Sequence, residues 1–177
     1  MDKISKEEQN QIIKQLKIKY KCDEVNYLGY LRFALIYSEP LQLERGNNTI
    51  FPRIRRYRLV NEEGIHINLK NEYNFIAKFI KGVAEVWNQI DFQIEETNIG
   101  QVAVDIRKYG LINTSGNELL PVIYDNVHAH PDGFVEISKD GIKKTTSINV
   151  LERGDYSWDD PYGIKYIKKK AIKEDGR

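Results

Sequence analysis

The sequence has too few cysteines for a disulfide framework and no apolar run long enough for a membrane span. Cys22 is the one cysteine among 177 residues, so no internal disulfide can form; this fits a reducing compartment and equally a periplasmic protein without disulfides. No apolar run approaches the roughly 18 residues that a membrane span needs. The N-terminal stretch "MDKISKEEQNQIIK" also lacks the apolar core and cleavage site of a signal peptide. We therefore expect a cytoplasmic protein without a membrane segment.

An excess of charge of one sign and the familiar catalytic motifs are absent as well. Charged residues make up 30% of the chain, but the net charge is only +1, so no overall field favours nucleic acid or an anionic membrane. No G-x-S-x-G, P-loop or paired-cysteine motif is present. Nearby lysines can lower the pKa of the Cys22 thiol, but no base lies next to it in the sequence. We expect no enzymatic activity, no catalytic residues and no cofactor.

What the sequence does contain begins with a helix signal. Ser5 and Glu8 form an S-x-x-E capping box. Ile12, Ile13 and Leu16 follow at helical spacing and form a narrow apolar stripe. The pattern predicts a helix over residues 6–20, within an N-terminal segment 1–24. Two interpretations of this helix are open. The helix packs on the main body of the protein, or it serves as a docking helix for a partner.

From about Val25 onward the pattern is that of short strands. Aromatic and apolar residues are frequent, as in "YLGYLRFALIY", and turn residues recur every few positions. One window is ambiguous: "EYNFIAKFIKGVAEVW", residues 72–87, is compatible with a helix on its own, although Gly82 weakens that interpretation. We therefore expect a single β domain over residues 25–177.

A comparison of the sequence with itself indicates a repeat. Residues 55–86 align with residues 107–137 with one gap. The aligned pairs include Tyr57 with Tyr109, Leu59 with Leu111, Asn61 with Asn113, Gly64 with Gly116, Tyr73 with Tyr124, and Gly82 with Gly133. Further landmarks are Gly29, Tyr162, the match of "LQLE" at Leu41 with "FQIE" at Phe92, and the recurrence of "LERG" at Leu43 and Leu151. The spacing predicts three units of about 52 residues, at 25–76, 77–127 and 128–177, the last one degenerate.

The repeat predicts a mainly β fold of degenerate antiparallel units preceded by one α-helix. Each unit should contain about four short strands, and Gly64 and Gly116 should lie in tight turns with positive φ. Because repeats of this kind stack on their neighbours, we expect an elongated meander or solenoid. The helix should then cover the exposed edge of the first unit.

The second copy resembles the WG repeat, also called the KWG repeat, of bacterial proteins. That family has an aromatic-Gly pair, an apolar run, a D/N-x-x-G turn, a proline, a Tyr-Asp pair and a further glycine. Matching residues here are Tyr109, Gly110, Asn113, Gly116, Pro121, Tyr124, Asp125 and Gly133. The first copy is more distant, since it has Tyr57-Arg58 in place of aromatic-Gly and lacks the proline. The resemblance covers about 65 residues and implies an all-β repeat fold that serves as an interaction surface, usually without enzymatic activity, often near toxin–immunity loci.

Two clusters are candidates for binding a partner. "RIRRYR" places Arg53, Arg55 and Tyr57 on one face of a predicted strand, and such a face suits an acidic protein or single-stranded nucleic acid, although solvated salt bridges explain it too. "GDYSWDDPYG" combines aromatic and acidic residues, namely Tyr156, Trp158, Asp159, Asp160 and Tyr162, as interface hot spots do. The alternative is a turn in which Trp158 closes the end of the repeat array. "KYIKKKAIK" near the C-terminus is a further basic run.

A pair of histidines raises a third possibility. His128 and His130 share one face of a strand and are therefore placed to ligate one metal ion, but no third ligand is evident. We expect a solvated loop there and no metal site.

These observations favour a non-enzymatic bacterial protein–protein interaction module, such as an immunity or inhibitor protein that binds a toxin. This interpretation rests on the resemblance. The first alternative is a single-stranded nucleic-acid-binding β protein that uses the Arg53–Arg58 strand, and the second is a metal-dependent enzyme around His128 and His130.

Overall fold

A computed structural model describes residues 4–45 and 48–163 of the chain. The elements within these ranges are α1 (Lys6–Tyr20), β1 (Glu24–Gly29), β2 (Arg32–Pro40), β3 (Leu43–Arg45), β4 (Asn48–Ile50), β5 (Arg53–Asn61), β6 (Phe75–Ile76), β7 (Val83–Thr97), β8 (Gly100–Asn113), β9 (Glu118–Tyr124), β10 (Asn126–Ala129), β11 (Phe134–Lys139), β12 (Ile142–Ser147) and α2 (Ile148–Glu152). The chain is mainly β, as the sequence predicts.

Helix α1 has the predicted bounds and the predicted cap. The Glu8 backbone N–H donates to Ser5 Oγ at 3.2 Å, and the Ser5 backbone N–H donates to Glu8 Oε2 at 2.8 Å. The helix ends at Tyr20, because the next residue, Lys21, has a left-handed φ of 50° that stops the helical hydrogen-bond pattern. Residues 72–87 form strands and loops, so the alternative of one long helix there is wrong.

The strands form antiparallel sheets in which sequence neighbours pair, except that β3 and β4 lie between β2 and its partner β5 in the sequence. The first sheet has the order β1-β2-β5, the second β6-β7-β8-β9 and the third β10-β11-β12, and β3 and β4 form a separate two-stranded piece. Every pairing between these strands is antiparallel. The sequence order of the sheets is also their packing order, as the hydrophobic cores show.

Three hydrophobic cores lie between successive layers. Phe33 and Leu35 on one face of β2 pack with Leu16 of α1. Ala34 and Ile36 on the opposite face pack with the second sheet. The second sheet in turn shares a core with the third sheet and α2, whose members include Val83, Leu111, Val135, Ile137 and Leu151. Because residues alternate between the faces of a strand, the first two sheets bury apolar side chains on both faces.

The position of α1 differs from the prediction. We expected the helix to cover the edge of the first unit, whereas Leu16 packs over the face of the first sheet that carries Phe33, Leu35 and Val60. The physical reason is that this face is apolar and has no preceding sheet to cover it, so the helix takes that position.

Side chains 51 residues apart hold the beginning of each of the three larger sheets in the same way. These side chains belong to Asp23, Asn74 and Asp125, and each accepts a hydrogen bond from a backbone N–H of the neighbouring strand or its turn. The donors are Ser38, Gln89 and Asp140, at 2.7, 2.9 and 2.7 Å. The two strands that follow also keep one register, since Val25 pairs with Leu35, Ile76 with Val86 and Val127 with Ile137.

The N-x-x-G turns of the two aligned copies are also alike. Asn61 Oδ1 accepts from the backbone N–H groups of Glu63 and Ile65, and Asn113 Oδ1 accepts from those of Ser115 and Asn117. Gly64 and Gly116 have φ values of +77° and +82°, which confirms the predicted left-handed turn positions.

Other parts of the repeat prediction are wrong. The second unit has two long strands, β7 and β8, where four short ones were expected, because the hairpin continues through a bulge between Gln89 and Asp91. The "LERG" recurrence is accidental, since Leu43 lies in β3 and Leu151 lies in α2, a helix that the sequence did not predict. Three complete units stay a prediction, because residues 164–177, including "KYIKKKAIK", lie outside the described residues.

Candidate interaction surfaces

The three larger sheets differ most in the length of their central hairpins, which are β2–β5, β7–β8 and β11–β12. Leu35 pairs with Arg58, and Val86 pairs with Gly110, whereas Ile137 pairs with Lys144. The first two hairpins therefore continue well beyond the layered cores, whereas the third turns back after a few residues. The continuation of the first hairpin includes β3 and β4, and that of the second includes residues 90–106, which we call the ribbon.

The ribbon has one face with an exposed apolar column. Residues directly opposite in an antiparallel pair share a face. Val102 pairs with Glu95, Val104 with Gln93 and Ile106 with Asp91. The exposed fractions of Val102, Val104 and Ile106 are 40%, 40% and 38%, whereas Phe92 on the opposite face is only 7% exposed. One face of the ribbon therefore presents aliphatic side chains in a row, beside a row of acidic and polar ones.

A second feature lies at the base of the two hairpin continuations. A groove of about 330 Å³ is lined by residues of both hairpins. We call it the arginine–aromatic groove and define it by Arg53, Arg55, Phe75, Trp87 and Arg107. The Arg107 guanidinium carbon lies 3.9 Å from the centroid of the Trp87 ring, and the Phe75 ring stacks on Trp87 at 5.5 Å.

The arginines of this groove already have partners in the chain. Arg53 Nε donates to Ser38 Oγ at 2.9 Å. Arg55 Nη2 lies 3.3 Å from Glu24 Oε1, and Arg107 Nη2 lies 2.8 Å from Asp105 Oδ2. These carboxylates compensate part of the positive charge, and salt bridges at such exposed positions contribute little stability.

The structure brings Arg53, Arg55 and Tyr57 together, as predicted, but with different accessibility. Both arginines are exposed, whereas the Tyr57 side chain is 4% exposed and packs edge-on against Phe75 at 5.5 Å. Burial raises the pKa of the Tyr57 hydroxyl. Tyr57 therefore supports the groove from within the core.

The predicted aromatic and acidic loop belongs partly to the third core. Trp158 packs against Tyr124 with 5.8 Å between ring centroids, and the Lys144 ammonium lies 4.7 Å from the Trp158 ring. Tyr156 packs against the same core, and burial raises the pKa of its hydroxyl. Of the two aspartates proposed for binding, Asp159 is exposed and Asp160 is buried. Trp158 therefore packs on the third core, and both its role in binding and its place at the end of the array stay predictions, since residues 164–177 lie outside the described residues.

The structure brings the two histidines together, with His128 in β10 and His130 directly after the last residue of that strand. The rings of His128 and His130 are 4.5 Å apart. His128 Nδ1 lies 2.9 Å from Glu85 Oε1, and His130 Nε2 lies 3.7 Å from Glu136 Oε2. In the part of the chain that the structure describes, no three His, Cys, Asp or Glu side chains are grouped to hold a metal ion.

The environment of Cys22 is the opposite of an activating one. The side chain is buried in the core under α1, and desolvation raises the pKa of the thiol despite the nearby Lys17. A higher pKa leaves less of the reactive thiolate. Lys17 does lower this pKa, as the sequence suggests, but the effect of desolvation is larger.

Sequence reasoning missed the ribbon and the aromatic half of the groove. The signal for the ribbon was the alternation in "QVAVDIR" and "DFQIEE", which predicts strands with an apolar column. Alternation does not tell whether another layer covers that column. The contact between Arg107 and Trp87 joins residues on opposite strands, and it depends on a register that no local pattern shows.

Comparison with known protein families finds no family that matches the chain, and no curated protein or solved structure matches it either. The resemblance to WG repeats therefore stays a prediction. Within residues 4–45 and 48–163, neither helix has the length and apolar character that a bilayer span requires.

Proposed function

We propose that this chain is a non-enzymatic protein-binding module. The observation that carries the proposal is the ribbon, which extends beyond the layered cores and exposes Val102, Val104 and Ile106 in one column. These side chains add little to the core, and an exposed row of aliphatic residues favours association. Among the described strands, none pairs with the ribbon from outside, so its edges and one face are accessible.

An immunity or inhibitor protein against a toxin is the more specific role that we propose. Support comes from the resemblance of the second copy to WG repeats and from the stacked arrangement of the sheets, which suits a binding scaffold. In this role the chain would act in the cytoplasm of a bacterium and inhibit a toxin by covering the surface that the toxin needs for its activity.

The test is recovery of a stoichiometric partner. Affinity-tagged chain would be expressed in its native cell, the co-purifying protein identified and made separately, and the affinity measured by calorimetry. We expect a defined complex and, for the inhibitor role, loss of the partner's activity when the complex forms. If no protein forms a stoichiometric complex, the binding function is wrong, and a complex that leaves the partner fully active removes only the inhibitor role.

A second candidate function is single-stranded nucleic-acid binding by the arginine–aromatic groove. The specific observation in its favour is the combination of Arg53, Arg55 and Arg107 with the stacked rings of Phe75 and Trp87. Arginine and aromatic side chains together bind phosphates and stack on bases. Titration of labelled oligonucleotides at several salt concentrations tests it, because phosphate contacts require binding that weakens as salt rises. Arg53→Gln with Arg55→Gln should then reduce both the affinity and its dependence on salt.

A further inference from the structure

We propose that the face of the ribbon formed by Val102, Val104, Ile106 and Glu95 docks a protein surface that presents basic and aliphatic side chains. This inference rests on the proposed binding function and adds to it a defined surface and the chemistry of the partner. It places the main contact on the second hairpin rather than on the loop around Trp158.

The first argument is the geometry of the face. The valines at 102 and 104 and the isoleucine at 106 follow one another on alternate positions of β8, so their side chains stand on the same side at a spacing of about 6.6 Å. The opposite positions on β7 hold Glu95, Gln93 and Asp91. A strand or helix laid along this face would contact an apolar column on one side and carboxylate or amide groups on the other.

The second argument is charge. Residues 90–106 contain the carboxylates of Asp91, Glu95, Glu96 and Asp105 and no lysine or arginine, although Arg107 next to this range pairs with Asp105. By contrast, β5 holds Arg53, Arg55, Arg56 and Arg58. The chain as a whole is nearly neutral, so the ribbon is a local acidic projection. Such a projection attracts a basic partner and repels nucleic acid. Burial of the aliphatic column against that partner then contributes favourable free energy, because apolar surface is removed from water.

Among the described residues, no other run of exposed apolar side chains follows one strand face. Trp158 and Tyr156 are engaged with the third core. The two rings of the arginine–aromatic groove pack on one another. Among the exposed aliphatic residues, those at 102, 104 and 106 share one strand face, whereas Ile18, Ile65 and Ile142 lie on separate elements or turns.

The experiment uses the full chain and a defined probe. A short labelled peptide of alternating lysine and valine, acetylated and amidated, is titrated with the protein by fluorescence anisotropy, and a peptide of alternating glutamate and valine serves as the counter-probe. We expect saturable binding of the lysine peptide that weakens as salt rises, and no binding of the glutamate peptide. Binding of both peptides, or of neither, overturns the proposed chemistry of the partner.

Charge variants localise the binding. The double variant Gln93→Lys with Glu95→Lys should weaken binding of the lysine peptide at least about tenfold. The matched control is Asn68→Lys with Glu63→Lys, which makes the same charge change on exposed residues of the first copy and should have little effect. If the control weakens binding as much as the ribbon variant does, the effect is one of net charge and the docking face is refuted.

An uncharged variant tests the aliphatic column separately. Val102→Thr with Val104→Thr keeps β-branched residues in the strand but exchanges a methyl for a hydroxyl at each position. We expect a severalfold loss of affinity at every salt concentration, while Ile142→Thr, at an exposed position of β12, leaves affinity unchanged. Unchanged affinity in the double variant would mean that the apolar column takes no part, which contradicts the proposal.

Two further outcomes separate this inference from the general binding function. If a stoichiometric partner recovered from the cell binds the Gln93→Lys and Glu95→Lys variant as tightly as the wild type, the ribbon is refuted and the binding function stands. If light scattering shows that the chain is a dimer that the same variant dissociates, the ribbon's occupant is a second copy, and a separate basic partner is refuted.

Discussion

The hairpins β2–β5 and β7–β8 share a register and differ in what lies against them. Ile36 pairs with Tyr57 in the first, and Trp87 pairs with Tyr109 in the second. At the next position the first hairpin has Arg58 and the second has Gly110. A Cβ on Gly110 would lie 2.6 Å from the backbone oxygen of Leu120, because β9 runs beside this point. The corresponding segment of the first copy makes only isolated bridges, so an arginine is accommodated.

The two turn glycines, Gly64 and Gly116, also have different neighbours, although here the residue itself is the same in both copies. A Cβ on Gly116 would lie 2.6 Å from the backbone oxygen of Asn68, which belongs to the preceding copy. A Cβ on Gly64 would instead lie 2.9 Å from Leu16 Cδ2 of α1. Helix α1 therefore packs against the turn of the first copy. The first copy packs in the same way against the turn of the second. The two hairpins therefore have the same backbone pairing. Their side chains differ at the positions where the neighbouring element differs.

The largest expected effect concerns the paired tyrosines. Tyr57→Ala should lower the free energy of unfolding by about 4 kcal/mol, and Tyr109→Ala by about 3 kcal/mol, as large aromatic-to-alanine changes in cores do. Tyr57 is buried in the second core, whereas Tyr109 is half-buried beside the third. Urea denaturation followed by circular dichroism measures both. A loss below about 1 kcal/mol for Tyr109→Ala would show that the second tyrosine has no core role.

The next comparison exchanges the unlike residues of the two hairpins for alanine. Gly110→Ala should cost about 3 kcal/mol, because the new methyl meets the backbone of β9, which cannot yield as a flexible side chain can. Arg58→Ala should cost less than about 1 kcal/mol, since Arg58 is exposed and contacts chiefly the Tyr37 ring at 5.3 Å. Equal costs in the same denaturation assay would mean that the crowding at Gly110 does not exist.

A smaller effect is expected at the two-residue turns that join β1 to β2 and precede β7. Tyr30 and Leu31 have φ values of 53° and 55°, and Lys81 and Gly82 have 51° and 82°. Both pairs are left-handed, as in a type I′ turn, but Leu31 stands where the second unit has Gly82. Leu31→Gly should therefore raise the stability by about 0.5 kcal/mol, and Gly82→Ala should lower it by about 1 kcal/mol. Thermal unfolding resolves the opposite signs, and a destabilising Leu31→Gly would show that packing of Leu31 outweighs its backbone strain.

How far the fold follows from the sequence depends on the range of the interactions involved. Local signals were sufficient for α1, whose cap is formed by Ser5 and Glu8, and for the N-x-x-G turns at Asn61 and Asn113, whose hydrogen bonds span a few residues. Alignment of the two copies also placed Tyr57 and Tyr109 at equivalent positions of paired strands.

Longer-range features could not be predicted in the same way. The continuity of β7 through its bulge depends on pairing with β8, and α2 is a five-residue helix whose pattern is too short to distinguish from a turn. For the candidate sites, the sequence indicated Arg53 and Arg55 because they are charged and clustered. It did not indicate Trp87 or the ribbon, since the exposure of an apolar side chain is decided by which layers stack on it.

The smallest expected effect concerns the side chains that hold the start of the second and third sheets. Asn74 in the second sheet carries an amide, whereas Asp125 in the third carries a carboxylate that accepts from Lys108 Nζ and from the Asp140 backbone N–H. The hydrogen bond from Lys108, followed by that from Asp140, lowers the pKa of Asp125 below its ordinary value. In the unfolded chain this pKa returns to about 3.9, so the carboxylate contributes stability above that pH and loses the contribution as pH falls through the folded value.

Replacing the carboxylate with the amide of the second sheet tests this difference. Asp125→Asn should lower the urea midpoint slightly at pH 7 and should leave it nearly equal to that of the wild type at a pH below the folded pKa, because the protonated acid and the amide then resemble each other. Lys108→Met should weaken the same pH dependence, since it removes the main cause of the lowered pKa. Glu63→Gln, which removes a negative charge from an exposed turn, serves as the control and should show no such convergence at low pH. A midpoint difference between wild type and Asp125→Asn that is the same at both pH values would mean that the carboxylate and the amide act identically at this position, and that the contrast between the two sheets has no electrostatic part.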